Sequence, residues 1–324
     1  MYSFCRHIIV VTLGAAALSN AWAQVPWAPT KPVRIVVPIV GSTNDTLARL
    51  VAPKLHEVFG QPFVVENKGG GGGTIGASDV ARSAPDGHTL LVGYNGPLAI
   101  NVSLYEKLPY NPVTDFAPVT LAVRASQYLV VNPSAGFTSV QDFIKKAKAE
   151  PKKYSYGSVS MGSASHLTME MMKSAADFDI THIPYRGAPP AVADLLAGQV
   201  QAGFFVPGNV QGFVKQGRLQ LLASTGLERL PSTPDVPTLA ESGLKGFQAT
   251  SWIGFLAPKG TPEHIIKRYN AEITKILNSP EVSKKLHDME FEIVASTPHQ
   301  FSDWIETEIS RWGKVIKDNN IRAE

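Results

Sequence analysis

Cysteine is almost absent from this chain: Cys5 is the single one in 324 residues. It lies upstream of the apolar run Ile8 to Leu18, which follows Arg6 and His7 and precedes Ala21-Trp22-Ala23, a small-x-small pattern of the kind cleaved during export. Cleavage after Ala23 leaves 324 − 23 = 301 residues with no thiol, which excludes a disulfide framework. Cys5 also stands too early to be a lipid-bearing first residue. The expectation is a periplasmic chain whose stability comes from its packed core.

Charge of one sign is equally scarce. Lys and Arg number 30 against 27 Asp and Glu, and loss of Arg6 leaves 29 against 27, a net charge of +2. No basic run carries interleaved aromatics, so nucleic acid is not an expected partner. The apolar run near the start is too short for a permanent anchor, and no second one follows. Catalytic signatures are missing too: there is no G-x-S-x-G, no H-E-x-x-H and no His, Cys and Asp cluster at metal spacing. Ser163 and His166 stand three apart but lack the acid and oxyanion partner of a triad. Neither an enzyme nor a metal or cofactor is expected. At 44% hydrophobic and 18% charged, the chain has material for one large or two medium domains.

What is present begins with Val33 to Val37, a β-branched run suited to a buried strand, stopped by Pro38. Gly41 opens a polar loop, and Asn44 or Asp45 is positioned to cap a helix starting near Thr46, with Leu47, Leu50, Val51, Leu55 and Val58 along its buried side. The free amides of such a loop, at the positive end of a helix dipole, suit an anion such as a carboxylate. A βα turn of this kind is also an ordinary structural feature, but a second copy follows. Tyr154 to Ser158 runs into Val159-Ser160-Met161-Gly162-Ser163-Ala164-Ser165-His166, where Ser163 or Ser165 caps a helix lined by Leu167, Met171 and Met172. Two donor loops over a hundred residues apart predict two lobes closing on one ligand. Met169, Met171 and Met172 read as core, and His166 as a hydrogen-bonding residue of the first turn.

Between them, Lys68-Gly69-Gly70-Gly71-Gly72-Gly73-Thr74-Ile75-Gly76 satisfies G-x-G-x-x-G through Gly71, Gly73 and Gly76. A glycine run matches that pattern cheaply, and the following strand, His88 to Tyr94, ends in Asn95-Gly96 without an acid for a ribose. Tight turning and close packing into a helix Ile75 to Ser83 is the preferred reading. Further α/β units follow: strands at Phe116 to Val123 and Tyr128 to Val131, a helix at Val140 to Ala149, and Pro184-Tyr185-Arg186-Gly187-Ala188 leading to a helix opened by Pro189 and Pro190. Strands at Val200 to Val206 and Leu219 to Ser224 complete this part. Ile265, Ile266, Tyr269, Ile273, Ile276 and Leu277 form one helical stripe, and Phe301, Trp304, Ile305, Ile309, Trp312, Val315 and Ile316 another, both expected to dock on the first lobe.

Collinear segments along the mature chain carry a resemblance. They include Ile35-Val36-Val37-Pro38, Val65-Glu66-Asn67, Ala84-Pro85-Asp86-Gly87-His88, Asp115-Phe116-Ala117-Pro118-Val119, Pro184-Tyr185-Arg186-Gly187, Asp194-Leu195-Leu196-Ala197-Gly198 and Leu256-Ala257-Pro258-Lys259-Gly260. On these the sequence resembles the Bug/TctC solute receptors of tripartite tricarboxylate transporters. The resemblance implies an α/β, two-lobed periplasmic binding protein with a mixed sheet in each lobe and crossing hinge strands. It places residues 24–125 and 250–324 in the first lobe and 126–249 in the second. It further implies capture of a small carboxylate, monomeric state, and delivery to membrane permease subunits, with a sensor kinase as the alternative partner.

The resemblance implies ligand contacts from Val40, Gly41, Ser42, Thr43 and Asn44 in the first loop and Gly162, Ser163, Ala164 and Ser165 in the second. His166, Asn95, Tyr185, Gly187, Ala188 and Phe205 complete the expected ligand-binding set. Two departures stand out. The first loop is one residue shorter than the usual Val-Pro-Phe-x-x-Gly-Gly-x-Thr-Asp pattern, and Phe205 occupies a place where an Asp is common, which points to an aromatic or aliphatic ligand body.

Overall fold

The computed structural model describes residues 27–318 and 321–322. The expected leader and its cleavage site after Ala23 lie outside the described residues. In chain order the elements are β1 (Val33–Val37), α1 (Thr43–Phe59), β2 (Phe63–Asn67), α2 (Thr74–Ala81), β3 (Thr89–Tyr94), α3 (Asn101–Leu104), β4 (Phe116–Ser126), β5 (Tyr128–Val131), α4 (Val140–Ala149) and β6 (Ser155–Ser158). There follow α5 (Ala164–Ala176), β7 (Thr181–Pro184), α6 (Ala188–Leu196), β8 (Ala202–Phe205), α7 (Pro207–Lys215), β9 (Gln220–Ser224), β10 (Thr250–Pro258), α8 (Glu263–Leu277), α9 (Pro280–Asp288), β11 (Glu292–Ile293) and α10 (Pro298–Asp318).

The strands form two mixed sheets, with orders β11-β4-β10-β3-β1-β2 and β7-β6-β8-β5-β9. Within the first, β1 pairs in parallel with β2 and β3, while β10 runs antiparallel between β3 and β4. In the second, β6 pairs in parallel with β7 and β8, and β5 is antiparallel to β8 and β9. The chain passes between the sheets at Gln127 and again between β9 and β10. The two passages are tied together: Gln127 N–H donates to Thr225 Oγ1 (2.7 Å), Thr225 N–H to Gln127 O (2.9 Å) and Thr225 Oγ1 to Ala249 O (2.6 Å).

Burial follows the sequence periodicity where tertiary packing agrees with it. On α1, Leu47, Val51 and Leu55 are buried, whereas Val58 is 40% exposed and Phe59 takes its place in the core. The α8 stripe from Ile265 to Leu277 is buried throughout. On α10, Phe301, Ile305, Trp312 and Ile316 are buried together with one acid, Glu308. Met169 and Met172 pack in the core, and Met171 lies against it.

The glycine run is a 3-10 turn ahead of α2, which starts at Thr74. Gly70 to Gly73 all have positive φ, and a Cβ on Gly72 would lie 2.9 Å from Met161 O. These glycines thus let a first-sheet loop approach a second-sheet loop, backbone against backbone.

Candidate functional site

Strands β1, β6 and β8 end at the gap between the sheets, and the helices that follow them, α1, α5 and α7, begin there. The amides of a helix's first turn have no intrahelical acceptor, so each start presents N–H donors at the positive end of a dipole. At α1 the N-cap is Ser42, extended at φ −114° and ψ 174°, and it makes no side-chain cap bond. The helix begins at Thr43, three residues before the expected start. Asp45 does not cap it, because its carboxylate is engaged by Arg49 Nε (2.9 Å) and Asn67 Nδ2 (2.8 Å). Asn44 folds into the first turn, 6% exposed, with Oδ1 3.4 Å from Ser42 Oγ. Its Nδ2 is buried and has no partner among the described residues.

At α5 the cap is Ser163. Its Oγ accepts from His166 N–H (3.3 Å) and donates to Ser160 O (2.7 Å). Ser165 Oγ accepts from Val159 N–H (3.0 Å) and lies 2.9 Å from Ser163 Oγ. Since the one proton of Ser163 goes to Ser160, Ser165 donates to Ser163, and both hydroxyls are used within the loop. What this loop offers a ligand is the amides of Ala164 and Ser165. At α7 the N-cap is Val206, which has no capping group, and Asn209 is in the first turn.

Between these three starts is a cavity with about 60 Å³ of space for the centres of water-sized groups. Ser42, Thr43, Asn44, Asn95, Ser163, Ala164, Ser165 and Phe205 from the expected set line it, joined by Gln127, Asn209, Ser251, Trp252 and Phe291. Among the described residues no lysine, arginine, histidine, aspartate or glutamate lines it. Its field therefore comes from neutral dipoles, which attract an anion without a side-chain cation.

Asn95 lines the cavity but its amide is committed: Nδ2 donates to Thr250 O (3.1 Å) and Glu308 Oε2 (3.2 Å), and Oδ1 accepts from Trp252 N–H (3.0 Å). Glu308 Oε2 also accepts from Trp252 Nε1 (2.8 Å) and Trp312 Nε1 (2.9 Å). Asn95 thus fixes the β10 backbone at the cavity wall. Gln127 is likewise held, its Nε2 donating to Thr168 Oγ1 (2.7 Å).

The other expected residues lie outside the cavity. Val40, Gly41 and Gly187 are on its rim, where a Cβ on Gly187 would lie 2.3 Å from Val40 O and one on Gly41 would lie 3.0 Å from Pro189 Cγ. Gly162 meets the first lobe instead, with its Cβ position 2.7 Å from Asn101 Oδ1. Ala188 is buried at the start of α6. Tyr185 turns away, its hydroxyl donating to Asp194 Oδ2 (2.6 Å). His166 faces the back of its loop, stacked on His182 at 4.1 Å, with Nδ1 accepting from Gly162 N–H (3.3 Å). Burial lowers the pKa of His166 to about 4 and that of His182 to about 3, with the Lys173 charge and the neighbouring imidazole adding to the effect.

A family model described as "Tripartite tricarboxylate transporter family receptor" matches residues 47–321. The chain belongs to this receptor family. Protein BugT of Bordetella pertussis is 35% identical to it over 319 residues, 98% of this chain and 97% of that one. Among solved structures, R. palustris Rpa4515 with adipate has 36% identity and a TM-score of 0.88, covering 91% of this chain and 99% of the other. MatC (Rpa3494) from Rhodopseudomonas palustris with bound malate has 33% identity and a TM-score of 0.85, covering 89% and 99%. The receptor thus shares the fold of periplasmic binding proteins, with two sheets and a gap between them.

Gln127, Ser251, Trp252 and Phe291 were missed in the sequence because they come from the strand crossings and from the loop before β11, far from either donor loop. Asn209 carried a signal of the same kind as the two loops: a strand, a Pro-Gly step and a helix start.

Proposed function

We propose that this receptor captures a small carboxylate by closing its lobes, 24–125 with 250–324 and 126–249, about the crossings at Gln127 and Thr225. It acts in the periplasm after cleavage at Ala23 and delivers its ligand, as a monomer and without turnover, to permease subunits of the tripartite tricarboxylate type. The observation that carries this reading is the cavity itself: three helix starts, no charged side chain, and the buried Asn44 Nδ2 donor without a partner among the described residues. An unsatisfied buried donor costs about 1–3 kcal/mol, so a ligand oxygen placed there recovers that amount. Adipate and malate in the two neighbours support a dicarboxylate, and Phe204, Phe205, Trp252 and Phe291 along the wall support a body with apolar surface, aliphatic or aromatic.

A thermal-shift screen of the purified mature protein across di-, tri- and aromatic carboxylates tests this. A ligand present at a hundred times its Kd adds about 2.7 kcal/mol to stability. Stabilisation by sugars or cationic amino acids alone would refute the carboxylate reading.

A further inference from the structure

The amide side chains around the cavity differ in what they have left to give. Those of Asn95 and Gln127 are held by protein groups, as described above. Asn44 has a free Nδ2 on the first-lobe side. Asn209, on the second-lobe side, is half-buried, lines the cavity, and its carboxamide makes no hydrogen bond with any described residue. It is preceded by Phe204, Phe205 and Val206, all buried and all in the wall, with the Phe205 ring folded over Gly203, where a Cβ would be 2.4 Å from Cε2. The polar lining therefore comes in separate pieces: donors at α1 and α5, Ser251 on β10, and, directly after the apolar run Phe204 to Val206, a single free carboxamide at the start of α7.

We infer that Asn209 is the specificity-determining residue for the far end of the ligand: it donates through Nδ2 to a second carboxylate, after the first is held by the α1 and α5 amides and Asn44. The inference rests on the carboxylate reading above. A carboxamide suits the task because it donates without a charge, so desolvating it on closure is less costly than burying an ammonium or guanidinium. The α7 dipole acts in the same direction, since Val206 supplies no competing cap. With no aspartate or glutamate on the wall, an ammonium group on the ligand body finds no counter-charge, so amino acids of the same length are disfavoured.

The test pairs each α,ω-dicarboxylate of four to eight carbons with the monocarboxylate of equal length, such as adipate with hexanoate, measured by calorimetry on the wild type and on Asn209→Leu. Leu keeps the volume and removes the amide. The wild type should bind the best dicarboxylate about ten- to a hundredfold more tightly than its monocarboxylate partner, the worth of a hydrogen bond to a charged group. N209L should lose that ratio while keeping its affinity for the monocarboxylate. Asn209→Asp should weaken the dicarboxylate further through repulsion. A wild-type ratio near one, or an unchanged ratio in N209L, overturns the role of Asn209 and leaves the carboxylate reading in place. Failure of every acid to bind the wild type removes both. Circular dichroism of N209L establishes that its fold is intact, and a further variant, Asn209→Ala, must show the same lost ratio if the amide and not the leucine is responsible.

Discussion

Acidification should loosen this receptor from behind its binding loop. His166 and His182 are stacked at 4.1 Å, with Tyr156 against His182 at 4.8 Å and Glu170 and Lys173 the nearest charges. Folding lowers their pKa values from 6.5 to about 4 and about 3. A histidine with a lowered folded pKa leaves stability intact above the unfolded value and removes it as pH falls below, because the unfolded chain takes up protons that the folded one refuses. The loss begins near pH 6.5 and continues to about 4 for His166 and about 3 for His182. Each contributes a slope approaching about 1.4 kcal/mol per pH unit, so the pair costs about 4 kcal/mol between pH 7 and 5. Protonation of His166 Nδ1 also removes the acceptor for Gly162 N–H, and with it a restraint on the α5 loop. Urea denaturation at pH 7, 6 and 5 measures the slope, and His182→Gln should flatten it by about one histidine's share. Equal losses in wild type and variant would refute the argument, since the remaining carboxylates titrate in both.

Gly187→Ala places a Cβ 2.3 Å from Val40 O at φ 118°, so closure should fail and the ligand bind at least about tenfold more weakly, with small-angle scattering showing an open form even with ligand. Wild-type affinity in that variant would show that the rim contact is not part of closure. Glu308→Leu leaves Asn95 Nδ2 with Thr250 O alone, strands two indole N–H groups in the core and should cost about 3–5 kcal/mol by urea denaturation, whereas a loss below about 1 kcal/mol would mean that water replaces the carboxylate.

The first donor loop was legible because β-branched Val33 to Val37, Pro38 and Gly41 mark a strand, its stop and a turn. Its helix start was misplaced because Asn44 and Asp45 are better caps by residue type than Ser42. In the fold their side chains go elsewhere, Asp45 to Arg49 and Asn67, Asn44 toward the cavity. Ser163 was legible as a cap and as a member of the cavity lining, but not that the Ser160 carbonyl takes its hydroxyl proton. Tyr185 and His166 looked available for the same reason: a polar side chain near a donor loop has no visible partner until Asp194 and His182 are brought beside them. Glu308 had a readable signal, since an acid seven residues after Phe301 and four before Trp312 in the same stripe is out of place on a buried face.

Closure itself follows from which groups cross the gap. Among the described residues no ion pair joins the two lobes; of the hydrogen bonds that span them, Tyr128 Oη to Glu290 Oε2 (2.6 Å) and Gln211 Nε2 to Asp288 O (2.5 Å) lie beside the α9–β11 loop, and Arg311 Nη2 to Gln248 O (2.5 Å) joins α10 to the strand crossing. Elsewhere one buried apolar cluster includes Leu167, Met172 and Phe247 together with Trp312 and Ile316, and nearer the donor loops the approach is made by glycine backbones: Gly187 on Val40, Gly72 on Met161, and Gly162 beside Asn101. Such contacts admit a close fit but supply little energy of their own, and an empty closed cavity leaves the Asn44 donor unpaired at a cost of about 1–3 kcal/mol. A ligand that satisfies Asn44 binds the closed form better than the open one by at least that amount, which shifts the lobe equilibrium about five- to a hundredfold. On the function proposed above, the bound acid serves as the missing latch, and the closed face is presented to a permease only when the receptor is loaded.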